Sequence, residues 1–222
     1  MSEPKVLIAG FGRFPGAAVN PSGLVAKALG RRNRPALSGT RRVVHVFATC
    51  YADVDRDLPA LLAREAPDIV LLFGVATRAR HVRIEELARN RVSVLFPDAR
   101  GVRPASPAIA KDRPALRNPR PVARLVRAVR SAGVPAARSR NAGTYLCNYI
   151  YWHALDAVLT GTPRLVMFVH VPPIRTKPRP AAAARRRVYR LGELVRAGEA
   201  ILLALTALAR TQRAHVPSIT SG

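Results

Sequence analysis

Two cysteines occur in this 222-residue chain, and one of them sits where a thiol can do chemistry. Cys147 closes the segment Asn141-Ala-Gly-Thr-Tyr-Leu-Cys147, in which a Gly-Thr turn feeds an apolar helical run and sets the cysteine in about its first turn. Amides left unpaired at a helix N-terminus stabilise an anion, and the thiolate is the nucleophilic form of cysteine. A nucleophile of this kind needs a base. His170 ends the apolar run Leu165-Val-Met-Phe-Val-His170, 23 residues on, a length equal to one helix plus a return to the sheet. A right-handed crossover brings that strand end back beside the start of the helix, at the edge where open α/β sheets gather functional groups. A third, acidic member would orient the imidazole and stabilise its cation. Arg83-Ile-Glu85-Glu86, beginning soon after the apolar strand that stops at Gly74, offers two candidates near the same edge, and spacing does not choose between them.

Each of these residues also has a plainer reading: a buried inert cysteine, a core histidine at a strand end, a solvated glutamate in a loop. Cys50 receives only the plain reading. His153 shares the helix of Cys147, but six residues on it points to another sector and does not reach the thiol. The cysteines and the five histidines are scattered without the close pairs that metal sites require, so neither a metal nor an organic cofactor is expected.

The elements that must position these groups follow from periodicity and punctuation. Lys5 to Ala9 reads as a short buried strand leading into the glycine-rich loop Gly10-Phe11-Gly12-Arg13-Phe14-Pro15-Gly16. Asn20 as N-cap and Pro21 at the first helical position start a helix that carries Leu24, Val25, Ala28 and Leu29 and stops at Gly30. Further strands are expected at Arg42 to Phe47, Ile69 to Phe73, Val92 to Phe96, Val134 to Ala137 and Leu165 to Val171. Helices are expected after Asp53, from Asn118-Pro119 to Gly133, and from Tyr145 to about Leu159. Strands alternating with helices of these lengths predict a single-domain three-layer α/β/α sandwich with a mostly parallel sheet. The catalytic domain is expected over residues 1–177, a Pro/Ala/Arg linker over 178–187, an amphipathic helix over 188–210 that packs on the domain or a partner subunit, and a frayed tail over 211–222.

Composition narrows the classes. An apolar fraction of 49% and no run approaching about 18 apolar residues exclude global disorder and a helical membrane span. The N-terminus lacks the basic and long apolar regions of a secretory signal, so a cytoplasmic location with reduced thiols is the expectation. The net charge of +24 invites a polyanion. The arginines are spread along the whole length without interleaved aromatics, however, and no nucleic-acid-binding signature accompanies them, so weak salt-sensitive adhesion is expected rather than specific binding.

These motifs together resemble the pyroglutamyl peptidase I family, in order from the first strand to about Pro173. Phe11-Gly-Arg-Phe14-Pro-Gly16 with Asn20-Pro-Ser22 is similar to the family's Gly-Phe-x-Pro-Phe-Gly-Gly loop and Asn-Pro-Ser. Pro67-Asp68, Gly74-Val-Ala76, Glu85-Glu-Leu-Ala88-Arg-Asn90, Pro97-Asp-Ala-Arg-Gly101, Ala142-Gly-Thr-Tyr-Leu-Cys147-Asn148 and His170-Val-Pro172 follow the family in turn, the cysteine motif most specifically. The resemblance implies a Cys147, His170 and Glu85 triad, selecting Glu85 over Glu86. It also implies removal of an N-terminal pyroglutamyl residue from peptides and a lactam pocket of Phe11, Phe14, Thr49, Val75, Phe96, Tyr145 and Leu146. It implies no metal or cofactor, and it implies assembly as a homo-oligomer, a tetramer. The chain departs from the pattern at Arg13 and Pro15, at Thr77-Arg78 where the family has a glycine pair, and at Glu86 where the family has arginine. A silent peptide-binding homologue and an amidase for another small acyl group are the competing readings.

Overall fold

In the computed structural model, which describes residues 3–14, 19–118, 122–161, 163–174 and 187–214, the alternation read from the sequence becomes a six-stranded sheet between two helical layers. The strands β1 (Lys5–Phe11), β2 (Arg41–Phe47), β3 (Ile69–Val75) and β8 (Leu165–Val171) run parallel as the block β2-β1-β3-β8. The sheet continues through β4 (Val82–Glu85) to β7 (Ala136–Ser139). β4 is antiparallel to β8 and parallel to β7. Two-residue strands β5 (Leu87–Ala88) and β6 (Leu116–Arg117) pair separately.

Side-chain alternation along the strands divides the core into two. On one face Val6, Ile8, Leu71, Phe73, Ile84, Met167 and Val169 pack against α1 (Pro21–Gly30), α3 (Val122–Ser131) and α5 (Leu191–Ala214). On the other, Leu7, Ala9, Phe11, Val70, Leu72, Val166 and Phe168 pack against α2 (Tyr51–Glu65) and α4 (Leu146–Leu159). Central strands apolar on both faces are what a covered parallel sheet demands. The chain enters at β1, steps out to β2 and recrosses to β3, so a topological switch lies between β1 and β3, where sites form in open α/β sheets.

Three differences from the sequence reading bear on function. Val92 to Phe96 is not a strand. Val94, Leu95 and Phe96 are exposed in an irregular loop, Leu95 to 75% and Phe96 to 64%, and β4 lies ten residues earlier. Glu85 therefore belongs to a strand rather than a loop. Helix α5 also runs through Ala214, so residues 211–214, expected in the tail, are helical, while the 178–187 linker lies outside the described residues except for Arg187. α5 packs on α1 and α3 of its own chain. Among the described residues, no helix is long and apolar enough to cross a membrane.

Candidate active site

The site is built on the face that carries α2 and α4. Cys147 is the second residue of α4, after the extended N-cap Tyr145. Its sulfur is set against the sheet at Gly74: a Cβ added there would lie 2.7 Å from Cys147 Sγ and 2.8 Å from Phe168 Cζ. Gly74 is the register partner of His170 across β3 and β8. The absence of a side chain at that one position thus lets a helix N-terminus and two strand ends converge.

His170 shares the parity of Val166 and Phe168, and so faces α4. Glu85 alternates with Ile84, which faces the opposite layer. The two meet with His170 Nδ1 2.8 Å from Glu85 Oε1. Because β4 runs antiparallel to β8, Arg83 is opposite His170 and Glu85 continues towards the interior, where it is 0% exposed. Glu85 thus lies by the same edge as His170, as the sequence suggests, but sealed beneath the histidine rather than solvated. The Asn141 amide donates to Glu85 Oε2 at 3.2 Å, and Tyr151 Oη donates to the Glu85 carbonyl at 2.8 Å.

Burial alone would push the Glu85 carboxyl up, but the hydrogen bond and charge of His170, with Ser139 and Arg83, outweigh it and hold the group below the ordinary carboxylate range. Burial likewise disfavours the His170 cation. The charge and hydrogen bond of Cys147, followed by those of Glu85, overcome this and raise the imidazole to about 9. A half-buried thiol, an imidazole that favours its cation and an ionised carboxylate form a relay suited to nucleophilic attack followed by proton donation.

The residues named for a lactam pocket divide into those that converge and those that do not. Phe11 ends β1, is 4% exposed and stands 6.1 Å from the Phe47 ring; with Tyr145 and Leu146 it joins the apolar cluster beside Cys147. The loop after Phe11 is pinned by the cap of α1. Ser22 Oγ accepts from the Phe11 amide at 3.0 Å, and Asn20 Nδ2 donates to the Gly12 carbonyl at 2.9 Å. Thr49 is buried, with its hydroxyl directed at the Gly12 and Arg13 carbonyls. Tyr145 is held by a bond from its hydroxyl to the Pro97 carbonyl at 3.0 Å and by the edge-on ring of Tyr51. Phe14 and Val75 are half-buried at the ends of their segments. Phe96 is exposed, on the loop whose next residue, Pro97, holds the Tyr145 hydroxyl. His153 contacts the rings of Tyr149 and Trp152 instead, at 4.5 and 5.3 Å between centroids.

Sequence reasoning passed over several supporting groups. Asn148, next to the nucleophile, is fully buried and bonds the Arg89 amide and the Arg89 and Arg91 carbonyls, each at 2.8 Å, which ties α4 to the segment after β4. Arg83 approaches Glu85 Oε1 at 3.3 Å. The alternation of Val82, Arg83, Ile84 and Glu85 carries a strand signal that would have placed both charges on one face. Glu86, which stands where the resembled family has arginine, turns to Arg138 Nε at 3.2 Å. Among the described residues no cluster of three or more His, Cys, Asp or Glu is placed to hold a metal.

Comparison with known proteins identifies the family and the fold. The family model described as pyroglutamyl peptidase matches residues 4–184. The pyrrolidone-carboxylate peptidase of Thermococcus kodakarensis is 33% identical over 185 residues, covering 81% of this chain and 88% of its own. That of Bacillus subtilis is 33% identical over 171 residues, covering 76% and 78%. The crystal structure of pyroglutamyl peptidase I from Bacillus amyloliquefaciens superposes with a TM-score of 0.78 at 28% identity, over 92% of this chain and 95% of that one. The pyrrolidone carboxyl peptidase of Fervidobacterium islandicum gives a TM-score of 0.83 at 25% identity, over 92% and 99%. The α/β/α fold with its mostly parallel sheet is therefore shared over nearly the whole chain, and the chain belongs to the pyroglutamyl peptidase family.

Proposed function

We propose that this protein is a cysteine peptidase that hydrolyses the amide bond following an N-terminal pyroglutamyl residue, with Cys147 as nucleophile, His170 as acid and base, and Glu85 as the group that orients the imidazole. The observation that carries the reading is the 2.8 Å contact of buried Glu85 with His170 at the strand position that flanks Gly74 and the Cys147 sulfur.

In this reading the Cys147 thiolate adds to the pyroglutamyl carbonyl carbon, and the carbon–sulfur bond forms as the carbonyl oxygen takes the charge. Backbone amides near Cys147 at the start of α4 are the donors suited to that oxygen. His170 gives its proton to the amine nitrogen, the carbon–nitrogen bond breaks and the shortened peptide leaves. Neutral His170 then takes a proton from water, whose oxygen adds to the thioester; the carbon–sulfur bond breaks, and pyroglutamate leaves behind the thiolate and imidazolium. Glu85 keeps Nδ1 protonated and oriented throughout.

A neutral five-membered lactam needs apolar walls and paired amide groups. Phe11, Phe14, Val75, Phe96, Tyr145 and Leu146 are the assigned walls, with Thr49 holding the carbonyls of the first loop. The same reading includes a cytoplasmic location and a homotetramer, the latter decided by light scattering. Release of a fluorescent amine from its pyroglutamyl amide tests the assignment. The wild type is expected to be active under reducing conditions, and Cys147→Ser to lose at least about 10³-fold in rate. A folded wild type that is inert towards this amide, but whose Cys147 still alkylates readily, overturns the choice of acyl group.

A further inference from the structure

Glu85, His170 and Cys147 in their reactive forms, a carboxylate, an imidazolium and a thiolate, sum to one negative charge in a site where Glu85 is wholly buried and His170 nearly so. Excess charge in a low-dielectric interior is costly unless a counter-charge meets it. Arg83 supplies one. It precedes Glu85 by two residues on β4 and therefore shares its face. Its Nη2 lies 3.3 Å from Glu85 Oε1.

The same guanidinium makes three further bonds. It donates to Ser139 Oγ from Nη2 at 2.7 Å and from Nε at 3.2 Å, and to the Asn141 carbonyl at 2.5 Å. Asn141 opens the turn that leads into α4, and its own amide donates to the other oxygen of Glu85. One side chain thus links the acid on β4, the end of β7 and the segment that delivers the nucleophile. Glu86 does not compete for it, being paired with Arg138.

We propose that Arg83 is a positioning residue of the triad, whose guanidinium balances the charge of Glu85 and fixes the carboxylate against the Asn141 turn so that the Cys147–His170 ion pair forms at neutral pH. The inference rests on the assignment of Glu85 as the orienting acid. The ionisable groups around that carboxylate are His170 from β8, Cys147 and Tyr151 from α4, Arg83 from its own strand, and the Glu86–Arg138 pair towards β7. Arg89 stands against the Asn141 side chain at 2.6 Å. Removing one positive charge from this set strengthens proton binding at every other member, so the limbs of a pH profile move in the same direction.

The test compares Arg83→Met, Arg83→Gln and Arg83→Lys with the wild type by two readouts against pH: the rate of Cys147 alkylation by iodoacetamide, and kcat/KM on a pyroglutamyl amide. Met and Gln are expected to displace the profiles to higher pH on both limbs. At neutral pH kcat falls roughly tenfold with KM little changed, the loss that removing a hydrogen bond to a charged group brings. Lys, which keeps the charge, holds the limbs at the wild-type pH while lowering the rate. Profiles of Met and Gln that superimpose on the wild type, whatever the rate, overturn the proposal, as does a Lys profile displaced as far as theirs. Thermal melts identify a variant that does not fold, and Gln, which retains a donor for Ser139, decides the outcome if Met fails. A wild type inert towards the amide refutes the substrate reading alone, because the alkylation profiles still decide the role of Arg83.

Discussion

His170 is held between opposing pressures, and their balance fixes the working pH range. Burial acts against its cation, Cys147 and Glu85 act for it, and the imidazole titrates near 9. The cation therefore persists through neutrality and is lost on the alkaline side, so kcat/KM is expected to fall as pH rises through about 9. Stability follows the same sign. The contribution of a raised histidine is complete below its unfolded value of about 6.5, and it is lost as pH rises through about 9. Glu85→Gln removes the carboxylate, lowers the rate by roughly 10²–10⁴-fold and moves the alkaline limb to lower pH, opposite in direction to loss of Arg83. A pH–rate series on the folded variant checks both. At this scale the sequence disclosed Cys147 and His170, because each ends or begins an element whose type its neighbours reveal. Glu85 and Glu86 were indistinguishable by spacing, and only likeness to a family separated them. Their environments could not differ more: one is sealed beneath a histidine, while the other pairs with an arginine towards β7.

Elements placed the groups more tightly than their sequences disclose. Gly74 reads as the end of a strand, yet its lack of a side chain is what admits the sulfur of Cys147 and the ring of Phe168. Gly74→Ala is expected to push aside the sulfur, which ends a side chain that can swing, and to press on the buried ring of Phe168, which has less room, so some loss of stability accompanies the kinetic effect. A displacement of about 1 Å at a nucleophile costs on the order of 10² in kcat. Steady-state kinetics beside a thermal melt separates that result from simple unfolding. Periodicity located β1, β3, α4 and β8 well because long apolar runs bounded by Gly, Pro or Asn leave little choice. It failed at Val92 to Phe96, where a β-rich composition occurs in an exposed loop, and at β4, a four-residue strand interrupted by two charges. Alternation there states which residues share a face, but it does not state strand direction. The antiparallel setting of β4, and with it the depth of Glu85, arises from pairing with β8 far along the chain.

Among the described residues, many acidic groups pair with arginine. Glu199 pairs with Arg32 and Arg34, Asp53 with Arg56 and Arg100, and Glu65 with Arg41 and Arg64. The surplus remains as self-repulsion at a net charge of +24. Raising ionic strength from about 10 mM to about 300 mM is expected to increase the melting temperature by screening that repulsion. It is also expected to abolish retention on a nucleic-acid column. Retention that survives such salt would instead reveal a built polyanion site. The reversed direction of β4 also has a consequence for how the molecule matures. Glu85 and His170 lie 85 residues apart in the chain, and Cys147 arrives on a helix between them. β8 must insert between β3 and β4 before the acid and base can meet. Pairings of such separation are slow to close. On the proposed triad, the newly made chain is therefore expected to carry a disarmed thiol until its last central strand is in place, and to gain proteolytic competence together with the completed sheet.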